Sequence, residues 1–206
     1  MREFRADRRD ALIGMGLVAA LALLSAGTVG VLATLFGRRR VRAETGRFQL
    51  VYSPPASGTP WYRHLIGQPV REDEIQTGDW ALAVAGGSEL ARPVLLYRLE
   101  SPPKDPERAG GYVDTLIGFY SGCVHACCGV TGPVAADGLL YCPCHGSKFD
   151  PADLRRGNDS GLAYFGAPPT RGPATRPLPL APIAIEADGK VQLVIDAKNR
   201  EWYGYC

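Results

Sequence analysis

The sequence is poor in several features that mark common classes of protein. The 206-residue chain has only six cysteines and three histidines, no internal repeat of useful length, and no convincing amphipathic helix after residue 36. Its 25 glycines and 17 prolines lack the regular spacing of collagen, and they indicate many loops and short strands. Residues 48–206 carry 14 basic and 17 acidic residues, so they offer no basic surface for a nucleic-acid backbone. We therefore exclude nucleic acid as a partner.

One long apolar run is present near the N-terminus. Residues 11–36 are 26 consecutive uncharged, mostly apolar positions. A helix of that length reaches about 39 Å, which is enough to cross a hydrocarbon core of about 30 Å. The apolar region of a cleaved secretory signal is shorter, at about 7–15 residues. The sequence therefore predicts a short tail over 1–10 and a single transmembrane helix over 11–36.

Basic residues flank this predicted span on both sides and leave its orientation undecided by charge alone. Arg8 and Arg9, directly before the apolar run, resemble a twin-arginine export signal, although an ordinary juxtamembrane basic cluster is the alternative. Three arginines separate the run from the weak cleavage-like sequence Val41-Arg42-Ala43, which favours a retained anchor. We expect a single-pass protein of a bacterial inner membrane, with its head on the periplasmic side and a hinge over 37–46.

Short stretches of apolar and β-branched residues predict an all-β head over 47–206. The candidate strands are 47–52, 80–85, 93–99, 112–120, 139–141, 182–186 and 190–195. Asp188-Gly189, between the last two, is typical of a tight hairpin turn. Arg155 and Arg156 are expected in a solvated loop.

Four cysteines and two histidines are concentrated between residues 123 and 145. The first cluster reads Cys123-Val-His125-Ala-Cys-Cys128, and the second reads Cys142-Pro-Cys144-His145. Each supplies a thiolate and an imidazole, so two facing loops would form a metal site with two Cys and two His ligands. One further cysteine from each loop is available for a disulfide, which an oxidising compartment permits. His64 lies outside both clusters and is expected to be a surface or hydrogen-bonded histidine.

These two clusters resemble the boxes of the Rieske iron–sulfur proteins, Cys-x-His-x-x-Cys and Cys-x-Cys-His-Gly-Ser, in their cytochrome bc-type branch. The resemblance implies antiparallel sheets with a small inserted cluster-binding subdomain, here over 120–170, and one 2Fe–2S cluster. It implies that Cys123 and Cys142 hold one iron and that His125 and His145 hold the other. Cys128 and Cys144 would form the disulfide. Gly172-Pro173-Ala174 resembles the loop that covers the cluster in this family.

The resemblance also implies a function. It describes a subunit of a respiratory or photosynthetic quinol–cytochrome c oxidoreductase, a dimeric membrane complex, with His145 as the catalytic residue that hydrogen-bonds the quinol. The implied partners are a cytochrome b subunit, a c-type cytochrome and quinol. Two alternatives stay open: the Rieske subunit of an exported molybdenum oxidase of the arsenite-oxidising type, and a non-catalytic zinc-binding module on a membrane anchor.

Three positions near the cluster bear on its reduction potential or on the disulfide pattern. Ser147 matches the family serine whose hydroxyl donates to a bridging sulfide and stabilises the reduced cluster. Phe149 stands where high-potential members have Tyr, so a hydroxyl donor is missing and a lower potential is predicted. Cys127 stands where the family has Gly. It forms either a second disulfide with Cys206 or remains, like Cys206, a thiol outside any disulfide.

Overall fold

Short antiparallel strands make up most of the regular structure in the computed structural model, which describes residues 45–55, 58–86, 93–105, 112–134, 136–159 and 161–196. These residues all belong to one unit, Val41–Cys206. The strands are, in chain order, β1 (Gly46–Tyr52), β2 (Trp80–Ala85), β3 (Val94–Arg98), β4 (Tyr112–Val113), β5 (Leu116–Tyr120), β6 (Leu140–Cys142), β7 (Ser147–Phe149), β8 (Arg155–Asp159), β9 (Leu162–Ala167), β10 (Pro169–Arg171), β11 (Leu178–Pro179), β12 (Ile183–Ile185) and β13 (Val191–Ile195).

Helix is confined, in the described part of the chain, to two single 3₁₀ turns, at Arg63–Leu65 and Glu72–Glu74. No helix among these residues is long and apolar enough to cross a membrane. The predicted tail, anchor and most of the hinge, residues 1–44, lie outside the described residues, so those boundaries stay predictions. The all-β fold predicted for the head is confirmed.

The described residues form three antiparallel sheets. The largest has the order β12-β13-β1-β2-β3-β5-β4, and the two smaller ones have the orders β10-β7-β6 and β11-β9-β8. Strand β1 links two parts of the large sheet, because its first four residues pair with β13 and its last three pair with β2. The two small sheets take their strands from residues 140–179, and they follow the first Cys/His cluster along the chain.

Apolar residues explain why the predicted strands form: β3 and β5 are buried along almost their whole length, whereas burial alternates along β13. In β13, Val191, Leu193 and Ile195 are buried, while the residues between them are partly exposed. The turn between β12 and β13 contains Gly189 at φ +85°, which confirms the hairpin predicted from Asp188-Gly189.

Two local expectations were wrong. The stretch 112–120 is a hairpin of β4 and β5 rather than one strand, because Asp114 adopts φ +55° and reverses the chain. Arg155 and Arg156 lie in β8, with exposed side chains, rather than in a loop. Pairing with the more apolar β9 explains this strand, since β8 itself has no apolar alternation.

Within the part of the chain that the structure describes, the buried side chains form two hydrophobic cores. The second contains Cys123 and Cys142 together with residues of the large sheet and both small ones, including Leu95, Phe119, Leu140, Phe149 and Leu178. The two predicted thiolate ligands therefore lie at the edge of a packed apolar core. Water is excluded from their sulfurs on that side.

Candidate metal centre

The first cluster loop, residues 123–128, is the tip of a hairpin-like turn. The Cys123 amide donates to the Cys128 carbonyl (2.8 Å), and the Cys127 amide donates to the Cys123 carbonyl (2.8 Å). Gly122 and Gly129 form an antiparallel bridge at its base. Cys127 has φ +58°, a left-handed conformation that costs less for glycine than for cysteine.

The second cluster loop, residues 142–147, joins β6 to β7. Cys142 and Ser147 are directly paired at its base, and the Gly146 amide donates to the Cys142 carbonyl (3.0 Å). Gly146 has φ +73°, which explains why glycine follows His145 in the sequence.

The two loops are brought side by side by backbone pairing between Thr131 and Tyr141. The Thr131 amide donates to the Tyr141 carbonyl (2.8 Å), and the Tyr141 amide donates back (3.0 Å). Thr131 follows the first cluster loop in the chain, and Tyr141 directly precedes the second. Thus the facing arrangement expected from the sequence is confirmed.

The thiols of Cys123 and Cys142 are paired at the buried end of the site. Both side chains are buried and neither is in a disulfide. Burial raises the pKa of the Cys123 thiol, and its hydrogen-bond partner, the Cys142 thiol, raises that pKa further. The His125 and Ala126 amides act in the opposite direction, because they donate hydrogen bonds to the Cys123 sulfur. Backbone donors aimed at a sulfur favour its anionic form, which is the form that ligates metal.

The two imidazoles lie together at the exposed end of the site. The ring centroids of His125 and His145 are 4.8 Å apart, with their planes at 88°. Both residues are exposed to solvent, in contrast to the cysteines. The third histidine, His64, is also exposed, as expected, and lies in the first 3₁₀ turn.

A disulfide joins the two loops. It connects Cys128 to Cys144, the pairing that the family resemblance implied, across a Cα–Cα distance of 6.4 Å. Cys127 is not a free thiol. Cys206 lies outside the described residues, so the bond between Cys127 and Cys206 stays a prediction.

Segment 172–176 packs against the second cluster loop. A Cβ atom on Gly172 would lie only 2.5 Å from the Cα of Ser147, so only glycine allows this approach. The Ala174 amide donates to the hydroxyl oxygen of Ser147 (3.2 Å). Ser147 is fully buried, and this bond leaves its hydroxyl hydrogen to donate elsewhere.

Arg176, at the end of the same segment, contacts the first cluster loop. Its Nη2 donates to the Val124 carbonyl (3.2 Å), and its Nη1 forms an ion pair with Asp159 at the end of β8. Sequence reasoning missed both residues. Neither residue lies in a Cys/His cluster, so no motif singled them out.

The donor set has the ligand types of a two-iron cluster of the kind in which two histidines replace two cysteines on one iron. Across the described ranges, no three His, Cys, Asp or Glu side chains converge on one ion position. The donors instead form two pairs, one of buried thiols and one of exposed imidazoles. Two pairs suit two metal ions of one cluster, with a buried hydroxyl, that of Ser147, as a donor to it. The individual ligand assignments remain predictions.

One comparison with a known protein agrees with this chemistry. No family model matches the chain. The chain is 34% identical over 191 residues to a Haloferax mediterranei protein whose name describes a respiratory nitrate reductase subunit Rieske, covering 90% of this chain and 74% of the relative. A second similarity is to the crystal structure of the soluble domain of the Rieske protein II (soxF) from Sulfolobus acidocaldarius. Its TM-score is 0.43 at 18% identity, over 74% of this chain and 78% of that one.

Proposed function

This chain belongs to the family of Rieske iron–sulfur proteins, and we propose that it is the electron-transfer subunit of a membrane-bound complex that oxidises quinol, of the cytochrome bc type. As a member of that family it carries a Rieske-type 2Fe–2S cluster. When bound, this cluster accepts and releases one electron at a time. Membership of this family also argues against the alternative of a non-catalytic zinc-binding module.

Cys123 and Cys142 would hold one iron, and His125 and His145 would hold the other. Two neutral imidazoles in place of two thiolates leave the centre less negative, so its reduction becomes easier. The amides of His125 and Ala126, which donate to the Cys123 sulfur, act in the same direction.

The observation that carries the proposal is the exposure of the two imidazoles beside two buried thiols. The buried side excludes water from the sulfurs, while the exposed side presents ring nitrogens to a docking partner. In this proposal, the outer ring nitrogen of His145 would already have lost its proton when quinol docks, so that it accepts a hydrogen bond from a quinol hydroxyl. It would take up that proton as one electron passes from the quinol to the cluster, and the second electron would go to the cytochrome b subunit. The same exposed edge then faces a c-type cytochrome.

The membrane anchor over 11–36 and the hinge over 37–46 complete the proposal. The anchor would hold the head at the outer face of the inner membrane beside a cytochrome b subunit, in a dimeric complex. The linker lacks apolar periodicity, which is consistent with movement of the head between the two partners. Stiffening this linker with proline should slow turnover while the cluster stays intact, and unchanged turnover would contradict the movement.

A second candidate partner is a nitrate reductase. It is favoured by the name of the Haloferax relative, which is 34% identical to this chain. In that role the same exposed imidazoles would face a reductase subunit instead of a c-type cytochrome.

Affinity purification of the full-length tagged chain from membranes of its own host separates the two roles. We expect co-purification of a b-type haem and reduction of the Rieske electron paramagnetic resonance signal by added quinol. Co-purification of nitrate-reducing activity without b haem would support the second candidate. If neither partner co-purifies and quinol does not reduce the signal, both proposed roles are contradicted.

Matched histidine variants test the site in the same preparation. His145→Ala should abolish the signal, because a proposed ligand is lost. His64→Ala, which removes an exposed histidine outside the site, should leave both the signal and the partners unchanged.

A further inference from the structure

Segment 172–176 touches both cluster loops. At its start, Gly172 and Ala174 lie against Gly146 and Ser147 of the second loop. At its end, Arg176 donates to the Val124 carbonyl of the first loop, which is 52 residues away in the sequence. Five consecutive residues therefore bridge the two halves of the proposed ligand set.

The Arg176 contact falls at a sensitive point. Val124 lies between Cys123 and His125, one proposed ligand of each iron. A hydrogen bond to its carbonyl fixes the peptide that connects those two ligands. Because guanidinium donors are charged, such a bond is stronger than one between neutral groups.

Asp159 holds the guanidinium from the other side. The Arg176 and Asp159 side chains are 29% and 15% exposed, so this ion pair is better shielded from solvent and salt than an ordinary surface pair. The carboxylate orients the guanidinium and neutralises part of its positive charge.

We propose that Arg176 is a positioning residue that orders the first cluster loop through Val124 and raises the reduction potential of the cluster. The reason is electrostatic. Reduction adds one negative charge to the cluster, and a nearby guanidinium stabilises that charge more than it stabilises the oxidised state. Asp159 moderates the effect. This inference rests on the ligand set given under the proposed function.

Redox titration of the cluster-loaded full-length chain, followed by electron paramagnetic resonance, tests the proposal. Arg176→Met should lower the equilibrium constant for reduction about tenfold, which is about 59 mV for a one-electron couple. It should also shift the g values, because the loop that carries Cys123 and His125 loosens. Arg176→Lys keeps the charge and should recover most of the potential.

Asp159→Asn distinguishes a charge effect from a purely structural one. Removing the carboxylate leaves the guanidinium less neutralised, so the equilibrium constant for reduction should rise. If the ion pair only held the fold together, Asp159→Asn and Arg176→Met would shift the reduction potential in the same direction. Arg155→Met, which removes an exposed arginine of β8 paired with Asp153, is the matched control and should change nothing.

Three results would overturn the inference. They are an unchanged potential and spectrum in Arg176→Met, shifts of the same sign in the Arg176→Met and Asp159→Asn variants, and an equal shift in the Arg155 control. If Arg176→Met fails to fold, the Lys and Asn variants decide: a potential that does not rise in Asp159→Asn contradicts the inference. A wild-type chain without a Rieske signal would instead contradict the proposed function.

Discussion

Ser147→Ala is the substitution whose effect follows most directly from the structure. The Ser147 side chain is fully buried in β7, directly opposite Cys142. Its oxygen accepts a hydrogen bond from the Ala174 amide, so its own hydrogen is free to donate to the cluster. Removing the hydroxyl eliminates both interactions while leaving the backbone pairing in place.

The expected fall in potential can be estimated. A hydrogen bond to a charged acceptor contributes about 1.5–3 kcal/mol. The donor favours the reduced state, because that state is more negative. Since about 1.4 kcal/mol is tenfold in equilibrium and about 59 mV for one electron, Ser147→Ala should lower the reduction potential by about 60–130 mV.

A separate cost falls on stability in both redox states. The Ala174 amide would lose its acceptor in a buried position, which costs about 1–3 kcal/mol of unfolding free energy. The two effects are separated by redox titration of the folded protein and by denaturant unfolding of the oxidised protein.

Ser121→Ala is the matched control, because Ser121 is also a buried serine of the described residues. Its potential should stay close to that of the wild type. An unchanged potential in Ser147→Ala, or an equal fall in the control, would refute the reasoning about the hydroxyl.

Three further substitutions or measurements test the site. Phe149→Tyr should raise the reduction potential in a redox titration. Phe149 is fully buried in the core that contains both ligand cysteines, so a hydroxyl there adds a hydrogen-bond donor. An unchanged or lower potential contradicts this. Cys144→Ser opens the 16-residue disulfide span to Cys128 and should reduce the unfolding free energy by about 3 kcal/mol in denaturant titrations, whereas an unchanged midpoint would show that the bond adds little. Peptide mapping without reduction should recover Cys127 linked to Cys206; a different partner for Cys127 refutes the second predicted disulfide.

The parts of the fold that the sequence predicts are those with local signals. Strand β2 has the predicted bounds, Trp80–Ala85, and β13 differs from its predicted range by one residue, because their apolar residues are continuous or alternate. The hairpin turn at Gly189 has a local signal as well. Strand β8 has none, since its Arg-Arg-Gly-Asn-Asp sequence becomes a strand only by pairing with β9.

The same distinction holds for the candidate site. The spacing of the cysteines and histidines predicted that the two clusters lie on facing loops. The family resemblance implied the bond between Cys128 and Cys144, which the structure contains. The contact between Arg176 and Val124 spans 52 residues, and it depends on how the chain returns over the site. No local pattern in the sequence encodes such a contact.

In the proposed site, two thiols and two imidazoles hold a two-iron cluster. Low-temperature electron paramagnetic resonance of the purified full-length chain, with metal analysis of the same sample, tests it most directly. We predict two irons per chain and a rhombic signal of low mean g that appears only after mild reduction with ascorbate. One zinc per chain, without iron and without a signal, would contradict the account.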